Sequence, residues 1–154
     1  MKIYNKKARF NYHILDTFEA GVVLSGAEVK SLRAGRVDLA DSFARVQNGQ
    51  LVLKNVYIYP YQSEQSQGYD PRHDRRLLMH RREIDNLLGK ISGAAVTLIP
   101  LSIYTTRNMF KVELALAASK KKFDKRKAIK ARDEQRKIDQ DLRSEKLDYD
   151  RNRD

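Results

Sequence analysis

"SFARVQNGQLVLKNVYIYPY", residues 42–61, is the stretch whose reading decides the fold class. At its centre stands Asn48-Gly49, the dipeptide that best takes the two positive φ angles of a type I′ turn, so the segment is predicted to be a β-hairpin. Its far end sets Tyr57, Tyr59 and Tyr61 at every second position, on one strand face. Barrel packing is the commoner use of such a stripe and base stacking the rarer one.

Toward the N-terminus, "SGAEVKSLRAGR" (25–36) reads as a short helix. Ser25 is its N-cap, Glu28 completes a capping box, Gly35 stops it, and Val29 and Leu32 are its buried residues. Before it, Gly21 breaks the pattern ahead of Val22, Val23 and Leu24. In "KARFNYHI" (7–14), Phe10, Tyr12 and Ile14 alternate with Lys7, Arg9, Asn11 and His13, which predicts a half-buried strand. Toward the C-terminus, residues 62–76 are rich in Ser, Gln, Gly, Pro and Arg and read as an exposed loop. "LLMHRREIDNLLGKI" (77–91) has helical spacing, with Ile84, Leu87, Leu88 and Ile91 on one stripe and Gly89 near its end. Two strands follow, 96–104 and 109–116. Phe110, Val112, Leu114 and Leu116 alternate in the second, and Pro100 puts the first at an edge or a bulge. The fold class is mainly β with flanking α-helices, a small closed or nearly closed antiparallel barrel.

Composition narrows the function. The chain has 154 residues, 41% of them hydrophobic, and a formal net charge of +11. That suffices for one domain with a real core, and the charge favours an anionic partner, nucleic acid or a membrane surface. The absence of cysteine excludes disulfides and thiolate zinc sites. No signal-type segment opens the chain, and no stretch approaches the roughly 20 apolar residues of a membrane span, so a soluble, cytoplasmic protein without membrane contact is expected.

The texture changes after Ala118. Of the 36 residues from Ser119 to Asp154, 23 are charged. Lys120–Arg132 holds eight Lys/Arg against Asp124 alone, whereas Asp133–Asp154 has six basic and eight acidic residues. The apolar stripe is thin: Ala131, Ile138, Leu142 and Tyr149. A helix polar nearly all round is marginal alone, so residues 1–118 are expected to form the barrel domain and 119–154 a tail that is disordered or partly helical until a partner orders it.

Catalytic signatures are missing. There is no phosphate-cradling glycine loop, no His-Glu-x-x-His pair and no nucleophile elbow. Asp70, His73 and Asp74 lie close in sequence, but the basic "GYDPRHDRR" reads as a solvated loop, and His80 with Glu83 reads as a surface pair. No enzyme activity, metal or cofactor is expected. Nucleic-acid signals are stronger: Lys6, Lys7 and Arg9; Lys30, Arg33 and Arg36; Arg72, Arg75, Arg76, Arg81 and Arg82; and the tail.

These residues also fall into a specific pattern. "NKKARFNYHILDTFEAGVVLSGAEVKSLRAGR" (5–36), "NVYIYPY" (55–61), "DPRHDRRLLMHRREIDNLLGKI" (70–91) and "KKKFDKRKAIKARDEQR" (120–136) closely resemble the SmpB family, which binds transfer-messenger RNA. The resemblance implies an OB-like barrel that grips the tRNA-like domain of that RNA and replaces the missing anticodon arm. It implies a tail that becomes a helix on the ribosome, in the empty messenger channel beside the small-subunit RNA of the decoding centre. The outcome would be tagging of the nascent chain for degradation and rescue of the stalled ribosome by a monomeric protein. Carried over, the RNA-binding set is Asn5, Glu19 and Leu78, with Lys6, Lys7, Arg9, Arg75 and Arg76 as phosphate contacts. Glu19, an acid, would accept bonds from base or sugar groups or orient a neighbouring Arg or Lys; Leu78 reads most simply as core. The ribosome-binding set is Lys120, Lys121, Asp124, Lys125, Arg126, Ile129, Lys130 and Arg132, with charge surrounding the rod. Ala118-Ser119 stands where the family has a basic residue and a glycine, and His73 stands where arginine is usual. The rival reading is a ribosomal or ribosome-assembly structural protein.

Overall fold

The computed structural model describes residues 1–61 and 67–151, with the side chains of 122, 123 and 148–151 left aside. The 62–66 part of the predicted loop and the Tyr149 side chain lie outside the described residues. In chain order the elements are β1 Lys2–Tyr4, α1 Ala8–Asn11, β2 Tyr12–Val22, α2 Gly26–Arg33, β3 Val37–Asp38, β4 Phe43–Gln47, β5 Gln50–Lys54, β6 Tyr57–Ile58, β7 Arg75–Leu78, α3 Arg81–Ile91, β8 Thr97–Thr106, β9 Met109–Ser119 and α4 Lys122–Arg151. Contacts divide the chain into two compact units, one of Met1–Ser119 and one beginning at Lys120.

In the first unit the strands pair in the order β8-β4-β5-β7-β2-β9, and β9 returns to β8, all antiparallel. The pairing closes a barrel, which leaves its member strands few open edges. β1 continues the edge of β8 through Ile3 opposite Ile103, and β3 pairs with β6 as a short ribbon. The predicted hairpin is β4–β5, with Asn48 at φ +50 and Gly49 at φ +74 in its turn.

Alternation fills the barrel. Phe110, Val112, Leu114 and Leu116 of β9 join Leu51, Leu53, Leu98 and Ile103 in the central core. The opposite face of β9 is buried too, by Ala115 and Ala117 with Ala8, Ile99 and Leu101. β8 serves both clusters because its register shifts between Pro100 and Ser102; the proline, which has no N–H to give, sits at the predicted bulge. Ala8 covers the alanine face, and this corrects the reading of 7–14. Residues 8–11 form one helical turn, started where Asn5 Oδ1 accepts from the Lys7 N–H at 3.3 Å and Asn5 O from the Ala8 N–H, so β2 begins only at Tyr12. Gly21 does not end that strand; it lies inside β2, opposite both Leu78 and Lys111.

α2 starts at the predicted capping box. Ser25 Oγ accepts from the Glu28 N–H at 3.2 Å and Glu28 Oε2 accepts from the Ser25 N–H at 3.0 Å. Gly35 follows at φ +73. α3 buries Ile84 and Leu87 and leaves Leu88 exposed. It begins at Arg81 rather than Leu77, because residues 75–78 form β7, a strand at the heart of the sheet where loop and helix were expected.

The second unit contains α4, 30 residues long. This is the helical form expected of the tail on a partner. Neither Gly nor Pro interrupts Lys122–Arg151, and i, i+4 bonds such as Gln135 Nε2 to Asp139 Oδ1 at 3.0 Å run along it. Ile129, Ile138, Leu142 and Leu147 are all exposed, so the helix has no core of its own.

Candidate nucleic-acid interface

The strand β7 organises the site through its pleat. Arg75 and Leu77 point inward, Arg76 and Leu78 outward. Arg75, 2% exposed, spends its donors within the fold. Its Nε bonds Glu28 Oε1 at 2.9 Å, Nη1 bonds Val56 O at 2.8 Å, and Nη2 bonds Pro71 O at 3.0 Å and the Tyr69 hydroxyl at 3.2 Å. A guanidinium so engaged has nothing to offer phosphate. Arg75 is therefore struck from the RNA-contact set. Glu28 is buried at the other end of this ion pair, and Nε2 of His73 sits 2.6 Å from its Oε1. Burial pushes the Glu28 carboxyl up, yet the Ser25 N–H, Arg75 and His73 together outweigh it and hold the group below its ordinary value. The sequence trio Asp70, His73 and Asp74 disperses: Asp70 accepts from the Arg72 N–H, His73 meets Glu28, and Asp74 pairs with Lys54 at 2.9 Å.

Leu78 is the converse correction. Predicted as core, it is 50% exposed, and Leu77 takes the inner place. Leu78 lines a cleft of about 770 Å³ together with Glu19, Gly21, Arg76, Arg81, Met109 and Lys111. The ladder brings these distant residues together, since Gly21 opposes Leu78 on one side and Lys111 on the other. A Cβ on Gly21 would rest in ordinary contact with Leu78 Cβ at 3.4 Å, so the two residues meet on the cleft floor. The floor is apolar and much of the rim is basic, a combination suited to a base or ribose flanked by phosphates.

Glu19 stands on the cleft edge, bonded by Lys111 Nζ and by the Tyr104 hydroxyl. The Lys111 bond first, and the Tyr104 bond second, hold its carboxyl below the ordinary value against a smaller effect of burial. Burial and then Glu19 push the Tyr104 phenol up to about 12. Glu19 also lines a second hollow of about 300 Å³ with Lys2, Tyr104 and Glu113, the residue directly opposite it on β9. The Ser102 hydroxyl bond first, with Lys2 and then Arg9 adding to it against burial, holds the Glu113 carboxyl below its ordinary value.

Asn5 has a structural place. Its Nδ2 donates to Leu39 O at 3.1 Å and Pro100 O at 3.0 Å, which ties the end of β1 to the bulge of β8. Lys6, Lys7, Arg9 and Arg76 are exposed. In the second unit Arg126, Ile129, Lys130 and Arg132 are exposed, Lys120, Asp124 and Lys125 half-buried, and Lys121 lies exposed just before α4. The N–H of Lys125 bonds Lys121 O at 3.2 Å, and Asp124 in the first turn suits the helix dipole. Sequence reading missed Gly21, Tyr104, Met109 and Lys111, whose part depends on cross-strand register rather than on any local motif.

Comparison with known proteins gives the family. A family model described as SmpB protein matches residues 2–144. The SsrA-binding protein of Mycolicibacterium smegmatis is 53% identical over 138 residues, covering 90% of this chain and 86% of that protein. The SsrA-binding protein of Pelotomaculum thermopropionicum is 50% identical over 139 residues, covering 90% and 91%. A chain in the solved structure "tmRNA-SmpB: a journey to the center of the bacterial ribosome" superposes with a TM-score of 0.67 at 46% identity, covering 83% of this chain and 94% of that one. With the family model spanning nearly all of its described length, the chain belongs to the SmpB family.

Proposed function

We propose that the chain binds transfer-messenger RNA and acts with it on stalled ribosomes in trans-translation, and so works in the cytoplasm. The observation that carries this reading is the convergence of Glu19 and Leu78, remote in sequence, on one cleft with Arg76 and Lys111 on its rim. Arg76, Arg81 and Lys111 meet phosphate, Leu78 and Met109 give a base or sugar an apolar seat, and Glu19 holds the Lys111 ammonium in place. Asn5 acts indirectly, by fixing the segment that carries Lys6, Lys7 and Arg9.

The tail has the finer role. α4 presents Lys125, Arg126, Lys130 and Arg132 around a rod whose apolar residues are exposed. Such a rod suits a channel walled by RNA, the vacant messenger path beside the decoding centre, while the barrel stands in for the anticodon arm. With 3.6 residues per turn, Arg126 and Lys130 share one side, Lys125 and Arg132 a second, and the exposed Lys127 faces a third, so the helix can meet phosphate over most of its circumference.

Sequencing the RNA retained by the protein purified from cells tests the reading. One abundant tRNA-like species is expected. Ribosomal RNA alone would refute it in favour of a ribosomal or ribosome-assembly structural protein.

A further inference from the structure

The tyrosine stripe is left unused by the cleft. It does not fill the barrel: Val56 and Ile58 are fully buried, while Tyr57 and Tyr59 point the other way. Tyr59 is 42% exposed, with Tyr57 packed edge-on at 4.7 Å between ring centres. Each ring carries a cation: Arg72 lies 5.1 Å from the Tyr57 centroid, Arg36 5.6 Å from Tyr59, and Lys30 5.5 Å from Tyr61.

The backbone beneath is pinned. The Tyr59 N–H donates to Arg36 O at 3.1 Å, and the buried Ser31 hydroxyl donates to Tyr59 O at 2.7 Å. The Ile58 N–H donates to Pro71 O at 3.1 Å, and Arg72 Nη1 donates to Asn55 Oδ1 at 3.0 Å. The ring is thus presented by α2 and the β3–β6 ribbon without a loop that must order first. Around it Lys30, Arg33, Arg36 and Arg72 are exposed, and among the described residues none pairs with a carboxylate. Of the nearby acids, Asp38, opposite Tyr57 on the ribbon, accepts from the Ala40 N–H, Glu28 is buried with Arg75, and Asp70 accepts from the Arg72 N–H. A half-exposed ring among cations that no described carboxylate pairs is the chemistry of single-stranded RNA binding, one base stacked and its phosphates neutralised.

We propose that the face of α2, β6 and Arg72 is a second RNA-binding surface, on which Tyr59 stacks an unpaired base while Lys30, Arg33, Arg36 and Arg72 hold the adjoining phosphates. It shares no residue with the cleft of Glu19 and Leu78, and it takes a strand or loop other than the RNA seated there.

The test uses the full chain, first saturated with tRNA-like RNA and then titrated with a fluorescent ten-nucleotide oligouridylate. Tyr59→Ala is expected to weaken the oligonucleotide by about 5- to 150-fold, the range of one base–aromatic stack. Tyr59→Phe, which keeps the ring, is expected to bind as the parent does. Arg33→Gln with Arg36→Gln is expected to flatten the log–log salt dependence by about 1.4, two single-strand phosphates at about 0.7 each. Ultraviolet cross-linking should place the oligonucleotide on the Tyr59 peptide. Unchanged affinity and slope in both variants would overturn the proposal. So would an equal loss of the tRNA-like RNA in Tyr59→Ala, which would merge the two surfaces. Displacement by polyglutamate as effective as by unlabelled oligonucleotide would also overturn it, as the mark of a surface for acidic protein. Loss of tRNA-like RNA by the parent chain would instead strike the proposed function, since oligonucleotide binding can be read without that RNA.

Discussion

β7 and the start of α4 are both short basic segments, "RRLL" in one and "DKRK" in the other, and their charges lead opposite lives. In β7 the pleat sends one arginine into the core and its neighbour to the surface. Arg75 becomes an interior strut on Glu28, and Arg76 becomes rim of the cleft. In α4, Arg126, Lys127, Lys130 and Arg132 are all exposed, and apolar side chains share that exposure. Basic residues in the barrel therefore carry individual roles assigned by packing, whereas those of the helix act as a count. Deleting or neutralising charge should tell the two regions apart.

The largest expected effect is on the helix as a whole. A chain ending at Ser119 should keep its affinity for tRNA-like RNA and lose tagging of stalled peptides completely. Retained tagging would erase the division of labour. Next comes the barrel strut. Arg75→Ala leaves the buried Glu28 carboxylate without its guanidinium partner, with only the Ser25 N–H, the Tyr69 hydroxyl and His73 beside it, and should cost up to about 3–5 kcal/mol in chemical denaturation. Lys125→Ala with Arg126→Ala should shift the same curve by less than about 0.5 kcal/mol and only partly reduce tagging. Equal losses would break the comparison.

Third, Lys7→Ala with Arg9→Ala should flatten the salt dependence of tRNA-like RNA binding by up to about 1.8, by analogy with about 0.9 per duplex-DNA phosphate. An unchanged slope would aim those side chains elsewhere. The smallest effect is the pH dependence of the strut. The Glu28 carboxyl is held below its ordinary value, so its contribution is fully present above the ordinary carboxylate range and fades as pH falls through and below it. Melting curves of the parent should lose stability in that acid window more steeply than those of Glu28→Gln. Parallel curves would deny Glu28 the role.

Much of the fold was legible from local signals. The Asn48-Gly49 turn, the Ser25 capping box, the Gly35 stop, the β9 alternation and the Pro100 bulge each depend on a few adjacent residues, and each stands as read. Residues 7–14 and 75–78 misled because their neighbours decide them. The first turns helical to cover Ala115 and Ala117, and the second is drawn into the sheet between β2 and β5. Of the proposed site, the family pattern named Glu19 and Leu78, but the residues read alone put Leu78 in the core and took Arg75 for a surface cation, the reverse of their burial.

By itself, then, the sequence determined the barrel class, the hairpin, the helix caps, the excess of positive charge and the family pattern, because periodicity, turn chemistry and net charge need no partner strand. Only the tertiary structure decided which arginine is strut and which is surface, what Glu19 holds, and where Tyr59 faces. The physical reason is that strand register brings together residues far apart in the chain. A shift of one position in β7 would have exchanged Arg75 with Arg76 and Leu77 with Leu78.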